Sequence, residues 1–238
     1  MKPVEQLSVK IFADAADRDC MLELSKIPYI RGFTTNPTLM RKAGVTDYRR
    51  FALDVLAAIT DRPISFEVVS DEFDVMERQA IEIAGWGGNV YVKIPVTNTR
   101  GESSSALVRR LSRAGIKVNV TAILTLDQVR EVVDAVAGGA PSCVSVFAGR
   151  IADTGIEPMS IMCEALDILR QSPGAELIWA SPRELLNIFQ ADDIGCHIIT
   201  VTQDILRKLP LVGRDLKDYS LDTVRMFHDD ASQAGLSL

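Results

Sequence analysis

The sequence lacks the cysteine and histidine patterns of metal-binding and disulfide-stabilised proteins. Its cysteines stand far apart with no CxxC pair, at Cys20, Cys143, Cys163 and Cys196. The only histidines are His197 and His228. This spacing matches neither a zinc site nor a disulfide framework. We therefore expect no bound metal, and we interpret these side chains as core or surface residues.

The sequence also has no segment of the kind that enters a membrane. The first ten residues, MKPVEQLSVK, contain no apolar stretch typical of a signal peptide. No apolar run approaches the length of about 18 residues that spans a bilayer. We expect a cytoplasmic protein that has no membrane partner.

A large basic surface is missing as well. The net charge is −6, and the 26 Lys and Arg residues are spread along the chain without a basic run. This balance argues against a nucleic-acid partner, because nucleic-acid surfaces need clustered cations. It leaves room for a local basic pocket that binds a small anion.

What the sequence does contain is a regular alternation of short β-branched runs and longer helical patterns. The strand candidates are VKIFADA (9–15), GFTTN (32–36), ISFEVV (64–69), VYVKIP (90–95), KVNVTAI (117–123), CVSVFAG (143–149), ELIWAS (176–181) and HIITVT (197–202). Helical periodicity lies between them, for example in residues 48–59, 72–86 and 126–138.

The alternation predicts parallel strands joined by helical crossovers. Eight such repeats close naturally into a (β/α)8 TIM barrel, and a barrel of 238 residues can form one domain. A doubly wound open sheet is the alternative, but no GxGxxG motif follows the first strand candidate. We predict a single domain over 1–238, with the barrel at about 9–208.

The C-terminal segment does not fit the repeat. SLDTVRMFHDDASQAG (220–235) predicts an extra helix, within an extension of about 214–235, which Ser220 or Asp222 could cap. Leu221, Val224, Met226 and Phe227 offer it an apolar face. We expect this helix to pack over one end of the barrel or against another subunit.

Polar residues recur near the C-terminal ends of the predicted strands, which form the active-site mouth of a TIM barrel. In chain order they are Asp14, Thr34, Thr35, Asn36, Glu67, Lys93, Asn119, Thr121, Ser145, Arg150, Ser181 and Arg183. We expect these side chains to converge on one space. Such a cluster is costly to bury unless each member has a partner or a use.

Lys93 lies in the middle of the apolar run VYVKIPVT (90–97) and has a clear chemical use. An amine in a partly apolar pocket can form a Schiff base with a ketone, and the resulting iminium allows a nearby C–C bond to break or form. That chemistry needs a proton shuttle, for which Asp14 and Glu67 are the candidates. The alternative interpretation is a structural network of ion pairs.

Ser181-Pro182-Arg183 lies at a predicted strand-to-helix junction. A helix N-terminus offers free N–H groups to an anion, and an arginine adds a bidentate donor. The residues alone leave a phosphate site and ordinary surface positions both open.

Taken together, the motifs of this chain resemble those of the transaldolases. The segments are FADAAD (12–17), GFTTNPTLM (32–40), VYVKIPVT (90–97), KVNVTAI (117–123), VSVFAGRI (144–151) and WASPRE (179–184). They occur in the family's order across about residues 9–208, and TTNP together with VKIP is specific. The length resembles the compact bacterial transaldolases, a group that includes the fructose-6-phosphate aldolases.

The resemblance implies a role for each matching position. Lys93 matches the Schiff-base lysine, Asp14 the acid that assists proton transfer, and Glu67 with Thr121 the pair that holds a catalytic water. The groups that match the dihydroxyacetone-binding set are Thr34, Asn36, Asn119 and Ser145, and those that match the phosphate-binding set are Arg150, Ser181 and Arg183. The implied enzyme is a class I transferase of carbohydrate metabolism, including pentose phosphate sugars, with no metal or other cofactor.

Two positions distinguish the transaldolases, which transfer the dihydroxyacetone unit, from the aldolases, which release it. The aldolase branch usually carries glutamine at Glu67 and tyrosine at Phe147, and a tyrosine hydroxyl can position a water that releases free dihydroxyacetone. Glu67 and Phe147 therefore favour a transaldolase. The rivals are an aldolase that releases dihydroxyacetone and an inactive barrel that binds sugar phosphates.

Other features concern the acceptor and the assembly. The chain departs from the family at ADAAD, which has no Ser or Thr after the acid, and in the insert NTRGESS (98–104), which we expect to shape the acceptor pocket. Compact members of the family form rings of subunits, so the resemblance also implies a homo-oligomer, with a decamer of two pentameric rings as one form.

Overall fold

The computed structural model describes residues 2–236, and within them eight parallel strands form a closed barrel in chain order. The strands are β1 (Lys10–Asp14), β2 (Ile30–Thr34), β3 (Ile64–Glu67), β4 (Val90–Pro95), β5 (Val118–Ile123), β6 (Ser142–Val146), β7 (Ala175–Trp179) and β8 (Ile198–Thr202). The pairing of β8 with β1 closes the barrel. The predicted (β/α)8 fold is confirmed.

Helices follow each strand and cover the outside of the barrel. They are α1 (Arg18–Ser25), α2 (Pro37–Lys42), α3 (Tyr48–Ala58), α4 (Phe73–Ala84), α5 (Ser105–Arg113), α6 (Leu126–Val136), α7 (Ala148–Asp153), α8 (Pro158–Leu169), α9 (Leu186–Asp193), α10 (Gln203–Leu206) and α11 (Leu216–Gln233). Two 3-10 turns lie at Val4–Gln6 and Leu209–Leu211. No helix within residues 2–236 is long and apolar enough to cross a membrane.

The main hydrophobic core lies between the barrel and its helices. Outward-facing strand residues such as Ile11, Val92 and Val144 are buried there against helical residues such as Met76 and Leu107. Because strand side chains alternate in direction, the residues between them face the barrel interior. The burial of the outer row stabilises the barrel and leaves the inner row free to carry polar groups.

The base of the barrel interior is filled by a smaller apolar cluster. It contains Phe12, Cys143, Ile178 and Ile198. Gly32 makes room for this cluster, because a Cβ at that position would lie 2.6 Å from the Phe12 ring. The polar half of the interior therefore begins above Phe12, towards the C-terminal ends of the strands.

Several predicted strands end earlier than expected, and the second and the sixth give way directly to helices. The second was predicted at 32–36 but spans Ile30–Thr34, because Asn36 and Pro37 already start α2. The sixth was predicted to reach residue 149 but ends at Val146, where Phe147 becomes the residue before α7. In both places the chain turns sharply at the mouth of the barrel.

The C-terminal helix also begins earlier than predicted. It starts at Leu216, with Asp215 as its N-cap, so the assignment of Ser220 or Asp222 as the cap was wrong. The Asp215 carboxylate accepts hydrogen bonds from the N–H groups of Lys217 and Asp218. Asp222 instead forms an ion pair with Arg214. No residue of α11 is buried, so the apolar face stays exposed in the single chain.

Candidate active site

A cavity of about 590 Å³ opens at the C-terminal ends of the strands. All but one of the residues predicted to converge line it, namely Asp14, Thr34, Asn36, Glu67, Lys93, Asn119, Thr121, Ser145, Phe147, Arg150, Ser181 and Arg183. The exception is Thr35, which is buried away from the cavity and donates its hydroxyl to the Ser65 carbonyl at 2.9 Å. The fold thus brings all the other positions to a single space.

Lys93 lies at the centre of this cavity. Its side chain is only 9% exposed, and its Nζ is 3.2 Å from a carboxylate oxygen of Glu67. The same Nζ donates a hydrogen bond of 2.6 Å to the main-chain carbonyl of Thr35. The strand register places Lys93 directly between Glu67 on β3 and Asn119 on β5. The Lys93 amine is therefore shielded from bulk solvent, oriented by the Thr35 carbonyl and accessible from the cavity.

Asp14 ends β1 beside the amine. Its two carboxylate oxygens accept hydrogen bonds from the Thr34 hydroxyl at 2.8 Å and the Asn36 amide at 3.1 Å. Burial raises the pKa of Asp14 above the ordinary aspartate value, and the positive charge of Lys93 opposes that rise. A carboxyl group with a raised pKa is suited to exchanging protons with a bound substrate.

Asn36 links the start of a helix to this acid, which explains the sequence TTNP. Its side-chain oxygen caps α2 by accepting the N–H of Leu39 at 2.9 Å, while its amide group donates to Asp14. Pro37 occupies the first helical turn, where a missing N–H is tolerated. The local turn therefore holds the Asp14 carboxylate in one orientation.

A second polar chain crosses the cavity floor below Lys93. Ser145 donates to the side-chain oxygen of Asn119 at 2.7 Å, and the Asn119 amide donates to the Ser65 hydroxyl at 3.1 Å. Ser65 was absent from the predicted set, although its position two residues before Glu67 puts it on the same face of β3.

Backbone strain is concentrated at the cavity. Among residues 2–236, the only non-glycine residues with positive φ are Ala122 at 60° and Ser181 at 57°, and both line it. Ala122 follows Thr121 where the β5–β6 register shifts. Strained residues of this kind are frequent at functional sites, because the surrounding fold must hold them in place.

The loops after β6 and β7 form the basic rim of the cavity. Arg150 on α7 lies 5.9 Å from the centre of the Phe147 ring. Arg183 forms a bidentate ion pair with Asp153, with a 2.9 Å bond from its Nε. Gly149 allows α7 to approach this loop, because a Cβ there would lie 1.5 Å from the Ser181 carbonyl oxygen. The rim brings two cations to one side of the cavity.

Ser181-Pro182-Arg183 lies between β7 and α9, as predicted for a strand-to-helix junction, but it does not form the first turn of the helix. Helix α9 begins at Leu186, after a bent segment. The N–H groups of Arg183 and Glu184 donate to the side-chain oxygen of Asn187 at 2.8 and 3.1 Å. An anion at this rim would therefore depend on the arginine side chains and Ser181 rather than on the first turn of a helix.

The eighth strand adds residues that sequence reasoning missed. Thr200 and Thr202 line the cavity, and so does Asp204 at the start of α10. The Thr200 and Thr34 hydroxyls are hydrogen-bonded to each other. The alternation in HIITVT (197–202) contained this signal, because residues 200 and 202 share one face of the strand with Ile198.

The insert at 98–104 does not line the cavity, contrary to our expectation. It forms a short hairpin closed by the pairing of Thr97 with Ser103. Arg100 binds Glu72, and Thr99 binds Asp71, both in the segment before α4. These bonds hold the insert against the β3–α4 connection. Within residues 2–236, no cluster of acidic, histidine or cysteine side chains could hold a metal ion.

The sequence is similar to proteins of one family. The family model described as "Transaldolase/Fructose-6-phosphate aldolase" matches residues 11–238. A "Probable transaldolase" from Thermoanaerobacter sp. (strain X514) is 36% identical, over 97% of this chain and all of the relative. A "Probable transaldolase" from Dehalococcoides mccartyi is 32% identical, over 90% of this chain and 97% of the relative.

A solved structure supports the fold alone. A Burkholderia cenocepacia J2315 protein described as a lyase/mutase superposes with a TM-score of 0.58 at 14% identity. The match covers 99% of this chain and 86% of that protein. At this identity the likeness is one of architecture.

Proposed function

Since the chain belongs to the transaldolase/fructose-6-phosphate aldolase family, we propose that it transfers a dihydroxyacetone unit from a ketose phosphate to an aldehyde acceptor. The donor would be a sugar such as fructose 6-phosphate or sedoheptulose 7-phosphate. The observation that carries the proposal is the enclosed amine of Lys93, which faces the cavity between Glu67 and Asn119.

In the first half-reaction the Lys93 amine attacks the ketone carbon of the donor, and loss of water leaves an iminium on that carbon. Removal of the proton from the C4 hydroxyl then breaks the C3–C4 bond. The bond electrons move into the iminium, the aldose phosphate departs as an aldehyde, and a three-carbon enamine stays on Lys93.

The proton of the C4 hydroxyl passes to Asp14, or to a water held by Glu67 and Thr121. Asp14 suits this step because its carboxylate is oriented by Thr34 and Asn36 and its pKa is raised by burial. In the second half-reaction the enamine carbon attacks the acceptor aldehyde, which forms a new C–C bond, an alkoxide and again an iminium on Lys93. The alkoxide takes a proton to become the new hydroxyl, and water hydrolyses the iminium to release the product ketose.

The polar side chains around the amine would hold the three-carbon unit. Thr34, Asn36, Asn119 and Ser145 line the cavity near Lys93 and offer hydroxyl and amide groups to the sugar hydroxyls. Arg150, Ser181 and Arg183 would bind the phosphate at the rim, with the phosphate sharing or displacing the Asp153 carboxylate on Arg183.

Transfer rather than release is favoured at two positions. Phe147 lines the cavity beneath Arg150 and has no hydroxyl with which to position a hydrolytic water. Glu67 is a carboxylate beside the amine and can exchange protons with a substrate hydroxyl. An aldolase that releases dihydroxyacetone is the second candidate.

Trapping and coupled assays separate these outcomes. Borohydride added with fructose 6-phosphate should leave a reduced three-carbon or six-carbon adduct on Lys93, detected by peptide mass spectrometry. If the protein binds the sugar phosphate but forms no adduct on Lys93, it is an inactive sugar-phosphate-binding barrel. Free dihydroxyacetone formed without an acceptor at the rate of transfer would identify an aldolase, and a donor–acceptor matrix would identify the preferred sugars.

The same proposal includes a homo-oligomer built through α11. Its exposed apolar side chains include Leu216, Val224, Met226 and Phe227, which are between 50% and 80% exposed. A second subunit would cover them. Light scattering with size-exclusion chromatography would test this, since a monomer at micromolar concentration would contradict it.

A further inference from the structure

Tyr48 lies outside the barrel, yet its hydroxyl makes two hydrogen bonds to the main chain of Glu67. The N–H of Glu67 donates to the hydroxyl oxygen at 2.7 Å, and the hydroxyl donates to the Glu67 carbonyl at 2.9 Å. Tyr48 is the first residue of α3 and does not line the cavity that holds Lys93. Its contact with the site is therefore made only through Glu67.

The strand ladder itself cannot supply the bond to the Glu67 carbonyl. Going up the β2–β3 pair, Phe33 donates its N–H to Pro63 and Thr35 donates to Ser65, at 2.9 and 3.1 Å. Donors on β2 and acceptors on β3 thus both advance by two residues, so the carbonyl of Glu67 would receive the N–H of residue 37. That residue is Pro37, which has no N–H. The Tyr48 hydroxyl takes the place of the missing donor.

The bond to the Glu67 N–H has a consequence for Lys93. In a continued parallel ladder this N–H would donate to the carbonyl of Thr35. The Thr35 carbonyl instead accepts the Lys93 Nζ at 2.6 Å. By accepting the Glu67 N–H, the Tyr48 hydroxyl leaves the Thr35 carbonyl available to the amine.

The Tyr48 ring is held firmly enough to do this. It packs edge-on against Trp86 with 5.5 Å between ring centres, and it lies 6.3 Å from the Phe66 ring. Asp47 caps the helix at this point by accepting the N–H of Arg50 at 3.0 Å. Burial raises the pKa of Tyr48, so the hydroxyl keeps its proton and remains a donor.

We propose that Tyr48 is a positioning residue for the Glu67–Lys93 pair, completing the β2–β3 ladder where Pro37 ends it. This inference rests on the proposed function, in which Lys93 is the nucleophile and Glu67 handles protons. Tyr48 touches no substrate. Its effect on the reaction passes through the orientation of Glu67 and through the Thr35 carbonyl, which is left to accept the hydrogen bond from Lys93.

The first test is Tyr48→Phe, which keeps the ring and removes the hydroxyl. We expect kcat to fall about tenfold, the effect of about one net hydrogen bond. KM for a phosphorylated donor should change less than about twofold, because the phosphate side of the cavity lies on the loops after β6 and β7. Steady-state kinetics with fructose 6-phosphate measure both values, and an unchanged kcat would overturn the proposal.

A double-mutant cycle distinguishes positioning from general damage. In a Glu67→Gln background, Tyr48→Phe should lower kcat by about threefold or less, because the group that Tyr48 orients is already changed. The same fold loss in both backgrounds would show that Tyr48 acts on the structure as a whole, and would overturn the proposal.

Two variants control for packing and for loss of a hydroxyl. Trp86→Phe disturbs the same aromatic cluster but touches no bond to Glu67, since the Trp86 ring N–H is unpartnered within residues 2–236. Tyr91→Phe removes a hydroxyl at the base of the barrel. Either control lowering kcat as much as Tyr48→Phe, with an equal fall in melting temperature, would overturn the proposal.

Borohydride trapping separates this inference from the proposed function. An adduct on Lys93 in the wild-type protein, together with normal kcat in Tyr48→Phe, would overturn only the role of Tyr48. The absence of any wild-type adduct would overturn the proposed function itself.

Discussion

The barrel holds a lysine–carboxylate pair at each end, and the two pairs differ in their surroundings. At the mouth, Lys93 and Glu67 are 3.2 Å apart, with side chains only 9% and 17% exposed. At the base, Lys10 and Glu176 are 2.5 Å apart, with side chains 41% and 34% exposed. Solvent screens the basal pair, whereas the mouth pair is enclosed with other polar groups.

The side chains around the two pairs differ as well, since those at the base are apolar and those at the mouth are polar. The basal pair lies beside the apolar cluster of Phe12, Cys143 and Ile198, which fills the interior. The mouth pair faces an open cavity lined by hydroxyls, amides and two arginines. Apolar packing is thus concentrated at the base of the barrel, and the polar cavity lies at the mouth, where TIM-barrel enzymes generally have their active sites.

The sharpest test of this comparison exchanges each lysine for alanine. Lys93→Ala should abolish the borohydride adduct and lower kcat by about 10⁴-fold or more, because the nucleophile is lost. Lys10→Ala should leave kcat within about twofold, because an exposed ion pair contributes little. Peptide mass spectrometry and steady-state kinetics on both variants measure this, and a trapped adduct in Lys93→Ala would contradict the assignment.

The base should respond in stability rather than in activity. Phe12→Ala removes a ring that is 3% exposed, and it should lower the free energy of unfolding by about 3–5 kcal/mol. Urea denaturation measures this change, with Phe12→Leu as the milder control. Loss of turnover without loss of stability would show that the base takes part in the chemistry.

The rim arginine should act on substrate affinity. Arg183→Ala removes a charged partner for phosphate, which should raise KM for phosphorylated sugars about 10- to 100-fold, equivalent to about 1.5–3 kcal/mol. Arg31 lines a separate cavity at the base of the barrel, beside Lys10 and Glu176. Arg31→Ala is therefore the matched control and should leave KM unchanged. Equal loss on phosphorylated and free sugars would argue against phosphate binding by Arg183.

The smallest expected effect is the pH dependence contributed by Asp14. Burial raises the pKa of this acid in the folded state, so the folded protein holds the proton more tightly than the unfolded chain does. Its contribution to stability should therefore fall as the pH rises from the unfolded pKa through the folded pKa. The destabilisation caused by burying the ionised Asp14 carboxylate is absent below the unfolded pKa and complete above the folded pKa.

Asp14→Asn removes this titration. The free energy of unfolding of the variant, minus that of the wild type, should increase as the pH rises above about 4, the ordinary pKa of an aspartate. Urea denaturation at several pH values measures the difference, and Asp204→Asn at the cavity edge serves as a control for loss of an acid. A difference that stays flat or falls with pH would show that the fold does not raise the pKa of Asp14.

Much of the site was predictable because most barrel strands are apolar segments that carry a polar residue near their C-terminal end. Lys93 in VYVKIPVT and Glu67 in ISFEVV are of this kind, and both line the cavity. Thr200 and Thr202 carried the same signal and were missed. Ser65 was missed because a serine inside a strand is common and points to no chemistry by itself.

The bent loops were harder to predict because distant contacts decide them. Ser181-Pro182-Arg183 resembles the start of a helix, yet Asn187 binds the N–H groups there and α9 begins later. Helix α11 likewise starts earlier than predicted, at Leu216, because Asp215 caps it there. The residues from 216 to 219 are compatible with a helix, but the sequence analysis did not identify Asp215 as the cap. Local sequence permits several helix starts, and a pair of side-chain hydrogen bonds selects one of them at each place.

The sequence by itself determined the eightfold alternation, the apolar outer faces of the strands and the identity of the polar strand ends, because these depend on a two-residue periodicity. Only the tertiary structure decided which of those ends meet. The bonds of Asn119 to Ser65, of Arg183 to Asp153 and of Tyr48 to Glu67 join residues that are far apart in the chain. They depend on the strand register, which brings these residues together and which no local pattern encodes.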